Sequence, residues 1–307
     1  MSAYVEIAST ARSYCAIVNP AAGGGRCGRR APAALDRLRA AGLALDVHFT
    51  SRAGEARDIA RRAWENGQRR FLAVGGDGTS YEIVNGLFPC PGGERPVIGM
   101  LPLGTGNSFL RDFGITSAER ALEALARGRT RRCDVVRATH AAGALHYINL
   151  LSLGFTAEAG ELTNRRFKPL GPAGYVLATL ATTARLSYPS FPMCADGGAR
   201  DARPCILVSF SNSRYTAGRM MMAPHADATD GALDVIRIGP MRRRDFLLAF
   251  PSIFSGRHVE RPEVEEKRAK RVELDLDGPV DVMVDGEVER LALERLEVLE
   301  GAMEVVA

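Results

Sequence analysis

The 307-residue chain is poor in several features that would decide its class at once. Its six cysteines (Cys15, Cys27, Cys90, Cys133, Cys194, Cys205) lie scattered, with no C-x-x-C pair. That argues against a zinc site or a disulfide framework and is read as a reducing, cytoplasmic setting. No apolar run reaches the ~18–20 residues of a membrane span. Residues 1–12 lack the apolar core of a signal peptide, so any contact with a membrane is expected to be peripheral, at its inner face. Charge of one sign is also lacking: a formal +4 on 33.1 kDa falls short of a dedicated nucleic-acid binder, and no nucleic-acid partner is expected. What is present is globular composition, 46% apolar and 25% charged. The length exceeds one ordinary core, so two domains are expected.

Up to about residue 134 the pattern alternates strand and helix. Strands are expected over 14–19, 43–50, 71–74 and 97–101, and helices over 31–41, 54–66, 81–88 and 117–127, the last closed by Gly128. Such alternation implies a doubly wound parallel α/β sheet. From about residue 135 the segments become mostly extended. CDVVRAT and HYINLLSLGF read as two strands, followed by a helix over 175–185 and by CILVSFSNS, GALDVIRIG, KRVELDLD and VDVMVDGEV. Asp277-Gly278 and Asp285-Gly286 both read as hairpin turns. The expected organisation is an α/β nucleotide-binding domain over 1–134 and a β-rich sandwich over 135–295. Residues 296–307 are expected to return to the first domain.

Three glycine-rich clusters follow expected strands. The first, Asn19-Pro20-Ala21-Ala22-Gly23-Gly24-Gly25-Arg26-Cys27-Gly28, lets backbone approach a phosphate ahead of a helix N-terminus. It also satisfies G-x-G-x-x-G, but Asp46 lies inside its strand rather than at the end where a ribose-binding acid belongs. Arg29-Arg30 stands where a P-loop needs Lys and Ser/Thr. The second, Gly75-Gly76-Asp77-Gly78-Thr79-Ser80-Tyr81-Glu82, sets an acid able to hold Mg²⁺ or take a proton between glycines at a strand end. Thr79 and Glu82 also read as a capping box. The third is Leu101-Pro102-Leu103-Gly104-Thr105-Gly106-Asn107-Ser108, with a capped helix start as the structural alternative. Three such turns on successive strands imply one shared crevice.

In this order and spacing, N-P-x-x-G-G-G, G-G-D-G-T-x-x-E and P-L-G-T-G-N resemble the diacylglycerol kinase catalytic-domain superfamily. Its members include bacterial soluble lipid kinases and the sphingosine and ceramide kinases. Ser152-Leu153-Gly154-Phe155, Asp230-Gly231-Ala232-Leu233 and Val284-Asp285-Gly286-Glu287 extend the resemblance over nearly the whole chain. GGDGT is shared with NAD kinases and phosphofructokinase-like enzymes, whereas GTGN together with the late DGE points to lipid.

The resemblance implies an ATP- and Mg²⁺-dependent lipid kinase of phospholipid biosynthesis. Diacylglycerol is the leading acceptor and a sphingoid base or ceramide the alternative. NAD kinase activity and a non-catalytic lipid- or nucleotide-binding module rank lower. It implies ATP contacts from Asn19, Pro20, Ala21, Ala22, Gly23, Thr50, Gly75, Gly76, Asp77, Gly78, Thr79, Ser80, Tyr81, Glu82 and Thr105. It further implies Mg²⁺ near Asp227, Asp230 and Ala232, and a general base at Glu287 or, as in sphingosine kinases, at Asp77. Ser108 and Tyr81 depart from the usual Asp and Asn, which bears on lipid class. Glu158 and Glu161 occupy the neighbourhood where sphingosine kinases meet an amine. The Met220-Met221-Met222 run is expected in the core or lining a lipid pocket, and the five histidines show no metal spacing. Two cationic–apolar segments are candidates for a peripheral membrane surface: Arg165-Arg166-Phe167-Lys168 with Leu170, and Arg242-Arg243-Arg244 with Phe246-Leu247-Leu248. A homodimer is compatible with this reading.

Overall fold

The computed structural model describes residues 12–90, 93–163, 166 and 172–307. Its first part runs β1 (Ser13–Val18), α1 (Arg26–Ala40), β2 (Ala44–Phe49), α2 (Glu55–Glu65), β3 (Arg70–Gly75), α3 (Asp77–Leu87), β4 (Val97–Pro102) and α4 (Ala118–Arg127). The strands are parallel in the order β2-β1-β3-β4. Apart from Ser13 and Arg70 at the starts of β1 and β3 and Pro102 at the end of β4, these three strands are buried throughout, because helices cover both faces of a parallel sheet. β2, at the edge, is half exposed. Ser117 caps α4 by accepting the Arg120 N–H, and Gly128 closes it in the left-handed region, as its sequence implies.

Two helices begin earlier than their apolar periodicity indicates. α1 starts at Arg26, five residues before position 31, because Gly23, Gly24 and Gly25 all adopt positive φ and turn the chain directly into the helix. α3 starts at Asp77, so Thr79 lies inside it and the expected capping box does not form. The Glu82 carboxylate instead accepts the N–H groups of Gly54 and Ala56, capping the open start of α2.

The second part comprises β5 (Thr130–His140), β6 (Gly143–Tyr147), β7 (Leu150–Gly154), α5 (Phe155–Leu162), α6 (Pro172–Thr183), β8 (Met193–Ala195), β9 (Leu207–Ser211), β10 (Tyr215–Thr216), β11 (Met220–Met221) and β12 (Leu233–Ile238). It continues with α7 (Arg243–Ala249), β13 (Val264–Ala269), β14 (Arg271–Leu274), β15 (Val280–Val284), β16 (Glu287–Leu291) and β17 (Leu293–Val306). Among the described residues one antiparallel sheet has the order β13-β12-β9-β7-β15-β16. It packs over β5, β6, β14 and β17, which extend the first sheet. The fold is therefore mixed α/β, a parallel sheet core followed by a β-rich part.

The long β17 joins the two parts. It runs antiparallel to β5, and at its end Glu304 and Val305 pair in parallel with Val97 and Ile98 of β4. Residue 134 falls within β5, at a point where the pairing with β17 shifts register: Val135 faces Leu299, Cys133 faces Met303, and the Asp134 N–H between them donates to the Ala228 carbonyl. Two strand expectations need correction. HYINLLSLGF is not one strand: it divides into β6, in the first sheet, and β7, in the second, and Phe155 opens α5. Asp277-Gly278 is not a hairpin, because β14 and β15 on either side belong to different sheets. Asp285-Gly286 is one: both residues have positive φ, and Val284 pairs with Glu287 across them.

Candidate active site

Because β1, β3 and β4 are adjacent and parallel, their glycine turns line one edge of the sheet. Close packing explains the glycines. A Cβ on Gly104 would come within 2.4 Å of the Gly76 Cα, and one on Gly23 within 2.9 Å of the Leu103 carbonyl oxygen. The N–H groups of Leu103 and Gly104 both donate to the Gly75 carbonyl, locking the second and third turns together. Asn19 accepts the Ala21 N–H on its side chain. The N-termini of α1 and α3 have glycine caps and no side-chain hydrogen bond at the cap. Such helix starts offer N–H groups and a positive dipole end to an anion.

Asp77 sits at the centre. Its carboxylate is buried and accepts the Ser108 N–H at 3.0 and 3.1 Å. Burial raises its pKa, while the amides of Ser108, Phe109 and Asn107 pull it back. Gly106 must be bare, since a Cβ there would stand 2.7 Å from an Asp77 oxygen. Ser108 also accepts the Gly218 N–H on its hydroxyl, fastening the turn between β10 and β11 onto the third glycine loop.

Glu287 reaches this edge from β16. Its Oε1 would lie 2.9 Å from a Cβ on Gly78, so the acid of the β-rich part stands against the residue after Asp77. Beside it, Asp285 turns inward, 3% exposed. Its two oxygens accept the N–H groups of Ile148, Asn149 and Leu150, where the chain leaves β6 for β7. Burial is the main cause that pushes its pKa up to about 7, with the Asp77 charge adding to the rise and the three amides opposing it. Sequence reading treated Asp285 as a turn residue. Its partners lie 135 to 137 residues away along the chain, so no local pattern marks this role.

The other expected residues divide into two groups. Thr50, at the end of β2, and Thr105, in the third turn, remain at the crevice edge. Thr79 places its hydroxyl under Gly75, where a Cβ would be 2.3 Å away. Tyr81 and Glu82 turn away from the crevice. Tyr81 packs in the core of the β-rich part and donates its hydroxyl to Glu289 at 2.6 Å. Asn85, one turn on, exchanges hydrogen bonds with the backbone of His146. α3, which carries Asp77, is thereby tied through Asn85 to β6 of the first sheet and through Tyr81 to β16, the strand that carries Glu287.

The loop 227–232 lies beside the 3₁₀ turn Phe109–Phe113 that follows the third glycine loop. Asp230 pairs with Arg268 and accepts the Ala232 N–H. Asp227 accepts the N–H and hydroxyl of Thr229 and lines a polar pocket with Asp112, Arg131, Arg214 and His225. Asp112 is ion-paired with Arg214 through one oxygen, while its other oxygen is buried with no hydrogen-bond partner among the described residues. That partnerless oxygen beside Asp227 is a further place for a hard divalent cation, next to the Asp227, Asp230 and Ala232 set that the resemblance implies. Among the described residues there is no cluster of three or more His, Cys, Asp or Glu side chains able to hold a metal.

An apolar pocket lies behind the β10–β11 hairpin. Phe155, Met220, Met222, Phe246, Phe250 and Ile253 line it, which places two of the three consecutive methionines where a lipid pocket requires them. Met220 is two residues from Gly218, which touches the third glycine loop. Arg165, Phe167, Lys168 and Leu170 lie outside the described residues. No helix among the described residues is long and apolar enough to cross a membrane.

A parallel sheet edge with three glycine turns, facing an acid from a β-rich partner, defines a phosphotransferase of the lipid kinase class. A crystal structure from Bacillus anthracis superposes with a TM-score of 0.77 at 22% identity, covering 96% of this chain and 97% of that one. A further one, described as a diacylglycerol kinase of the same organism, gives 0.71 at 20% identity and 96% coverage of both. Residues 13–138 match the diacylglycerol kinase catalytic domain, and 149–307 match the YegS C-terminal NAD kinase beta sandwich-like domain. A Mycobacterium tuberculosis protein named diacylglycerol kinase is 31% identical over 89% of this chain and 87% of its own. A YegS-like probable lipid kinase of Chromohalobacter salexigens is 34% identical over 66% of this chain and 64% of its own. The chain belongs to the diacylglycerol kinase family.

Proposed function

We propose that this protein transfers the γ-phosphoryl group of ATP to the free hydroxyl of diacylglycerol at the inner face of a membrane, producing phosphatidic acid and ADP. The observation that carries the reading is Glu287 standing against Gly78, beside the buried Asp77. There an acid of the β-rich part meets the glycine edge suited to phosphates. The names of the relatives support the acceptor class. The apolar pocket behind β10–β11 supports it independently, since an acyl chain requires a dry, flexible lining.

The acceptor oxygen forms a bond to the γ-phosphorus as the bond to the bridging oxygen of ADP breaks. Glu287 takes the hydroxyl proton in that step. The N–H groups at the starts of α1 and α3 bind the phosphates and stabilise charge spreading over them. Mg²⁺ carried with the nucleotide would neutralise phosphate charge, and the carboxylate of Asp77 would hold it there. A structural Mg²⁺ would be held by Asp227 with Asp112.

The test is phosphoryl transfer from labelled ATP, with and without Mg²⁺, over diacylglycerol, ceramide, a sphingoid base and NAD. Labelling of diacylglycerol ahead of the other acceptors is expected. Labelling of NAD alone would overturn the reading.

A further inference from the structure

The outward side of α7 and of the 3₁₀ turn Phe250–Ser255 after it combines exposed apolar residues with arginines. Leu248 is 78% exposed, Phe254 48% and Leu247 39%. Leu177 and Leu180 are exposed on α6, which packs against α7. Among the described residues Phe49, on the edge strand β2, is the one large exposed apolar side chain of the parallel-sheet part. The opposite side of α7 is apolar as well: Phe246, Ala249, Phe250 and Ile253 line the apolar pocket.

A helix that only covered a core would be polar on its outer face. Here the i, i+4 rows place Arg243 above Leu247 and Arg244 above Leu248, so cations border the leucines on the outer side. Residues 242–263 hold five arginines against three acids, and Arg243 makes no ion pair among the described residues. A second copy of the chain would bring arginine against arginine on this face. An anionic lipid leaflet complements both the charge and the apolar surface.

We propose that α7 and the 250–255 turn form the membrane-docking element. Leu247, Leu248 and Phe254 enter the headgroup–acyl boundary, and Arg242, Arg243 and Arg244 meet lipid phosphates. The element separates the leaflet from the apolar pocket, so docking places that pocket immediately behind the layer from which its lipid comes. The proposal rests on the lipid kinase reading for the role of the pocket, and its test reads contact rather than catalysis.

Leu248→Trp and Phe49→Trp are made separately in the full chain, where the buried Trp64 provides a constant background. Each is titrated with vesicles of phosphatidylcholine and phosphatidylglycerol carrying bromine on the acyl chains. Trp at 248 is expected to be quenched and blue-shifted, and Trp at 49 to be unchanged. Reversal of both Arg243 and Arg244 to Glu is expected to weaken vesicle binding about tenfold or more at low salt. It should leave phosphorylation of a water-dispersed short-chain diacylglycerol unchanged. Quenching at 49 but not 248, binding indifferent to lipid charge, or self-association through position 248 would each overturn the docking assignment. Failure to phosphorylate the short-chain acceptor while Trp at 248 is still quenched would instead refute the kinase reading and leave this face standing.

Discussion

Asp277-Gly278 and Asp285-Gly286 are the same dipeptide eight residues apart, and the fold uses them in opposite ways. Asp277 is exposed in a connection that carries the chain from one sheet to the other. Asp285 ends a strand whose hairpin partner carries Glu287, and its carboxylate is inside, holding three consecutive amides. The amides decide the difference. Where β6 passes into β7, residues 148–150 leave one ladder before joining the next. Buried N–H groups without partners are costly, about 1–3 kcal/mol each. A carboxylate with two acceptor oxygens satisfies all three, and the turn that supplies it also aims Glu287 at Gly78. The comparison teaches that a turn's sequence sets its backbone shape, while its surroundings set what the side chain does.

Four substitutions would break or sharpen this contrast. The largest effect is expected opposite the hairpin. Asp77→Asn should lower kcat by about 10⁴ with the fold retained. Near-parental turnover in that variant would reduce the second glycine turn to packing. Glu287→Gln should cost about 10³ in kcat with KM for ATP little changed. A loss under tenfold would make 285–287 as ordinary a connection as 277–278.

Asp285→Asn acts on stability and on its pH dependence. The native carboxyl, raised to about 7 from its ordinary 3.8, binds a proton more readily than the unfolded chain does across that window. Stability should therefore fall as pH rises from about 4 to about 7, and the raised Asp77 acts in the same direction. The urea midpoint of the parent should be lower at about pH 7.5 than at about pH 5. In Asp285→Asn the midpoint should be lower throughout and the pH difference smaller. An unchanged pH difference would exclude Asp285 as its source. The smallest effect belongs to Asp277→Asn, expected within about 0.5 kcal/mol of the parent and with full activity. A larger loss in urea titration would mean that the two Asp-Gly pairs are more alike than their surroundings imply.

Much of the phosphate edge was legible because its signals are local. A strand, two or three glycines and a helix start lie within ten residues at Gly23–Gly25 and at Gly75–Gly78, and parallel order then aligns them. The side-chain partners of Tyr81 and Glu82 were not legible, for the opposite reason. They sit beside the motif in sequence, but a helix turns about 100° per residue, so Tyr81 faces Glu289 in the other part and Glu82 faces the start of α2. Asp112 gave no sequence signal, since its partner Arg214 lies 102 residues away.

The amino-acid sequence by itself determined the alternation that builds the parallel sheet, the three bare turns on its edge and the positive-φ hairpin ahead of Glu287. Each of these depends on backbone sterics and periodicity within a few residues. Tertiary structure alone decided that HYINLLSLGF would divide between two sheets, that Asp285 would turn inward, and that α7 would keep apolar side chains on both sides. Those outcomes depend on which buried amides and which apolar surfaces are left without partners once distant segments pack.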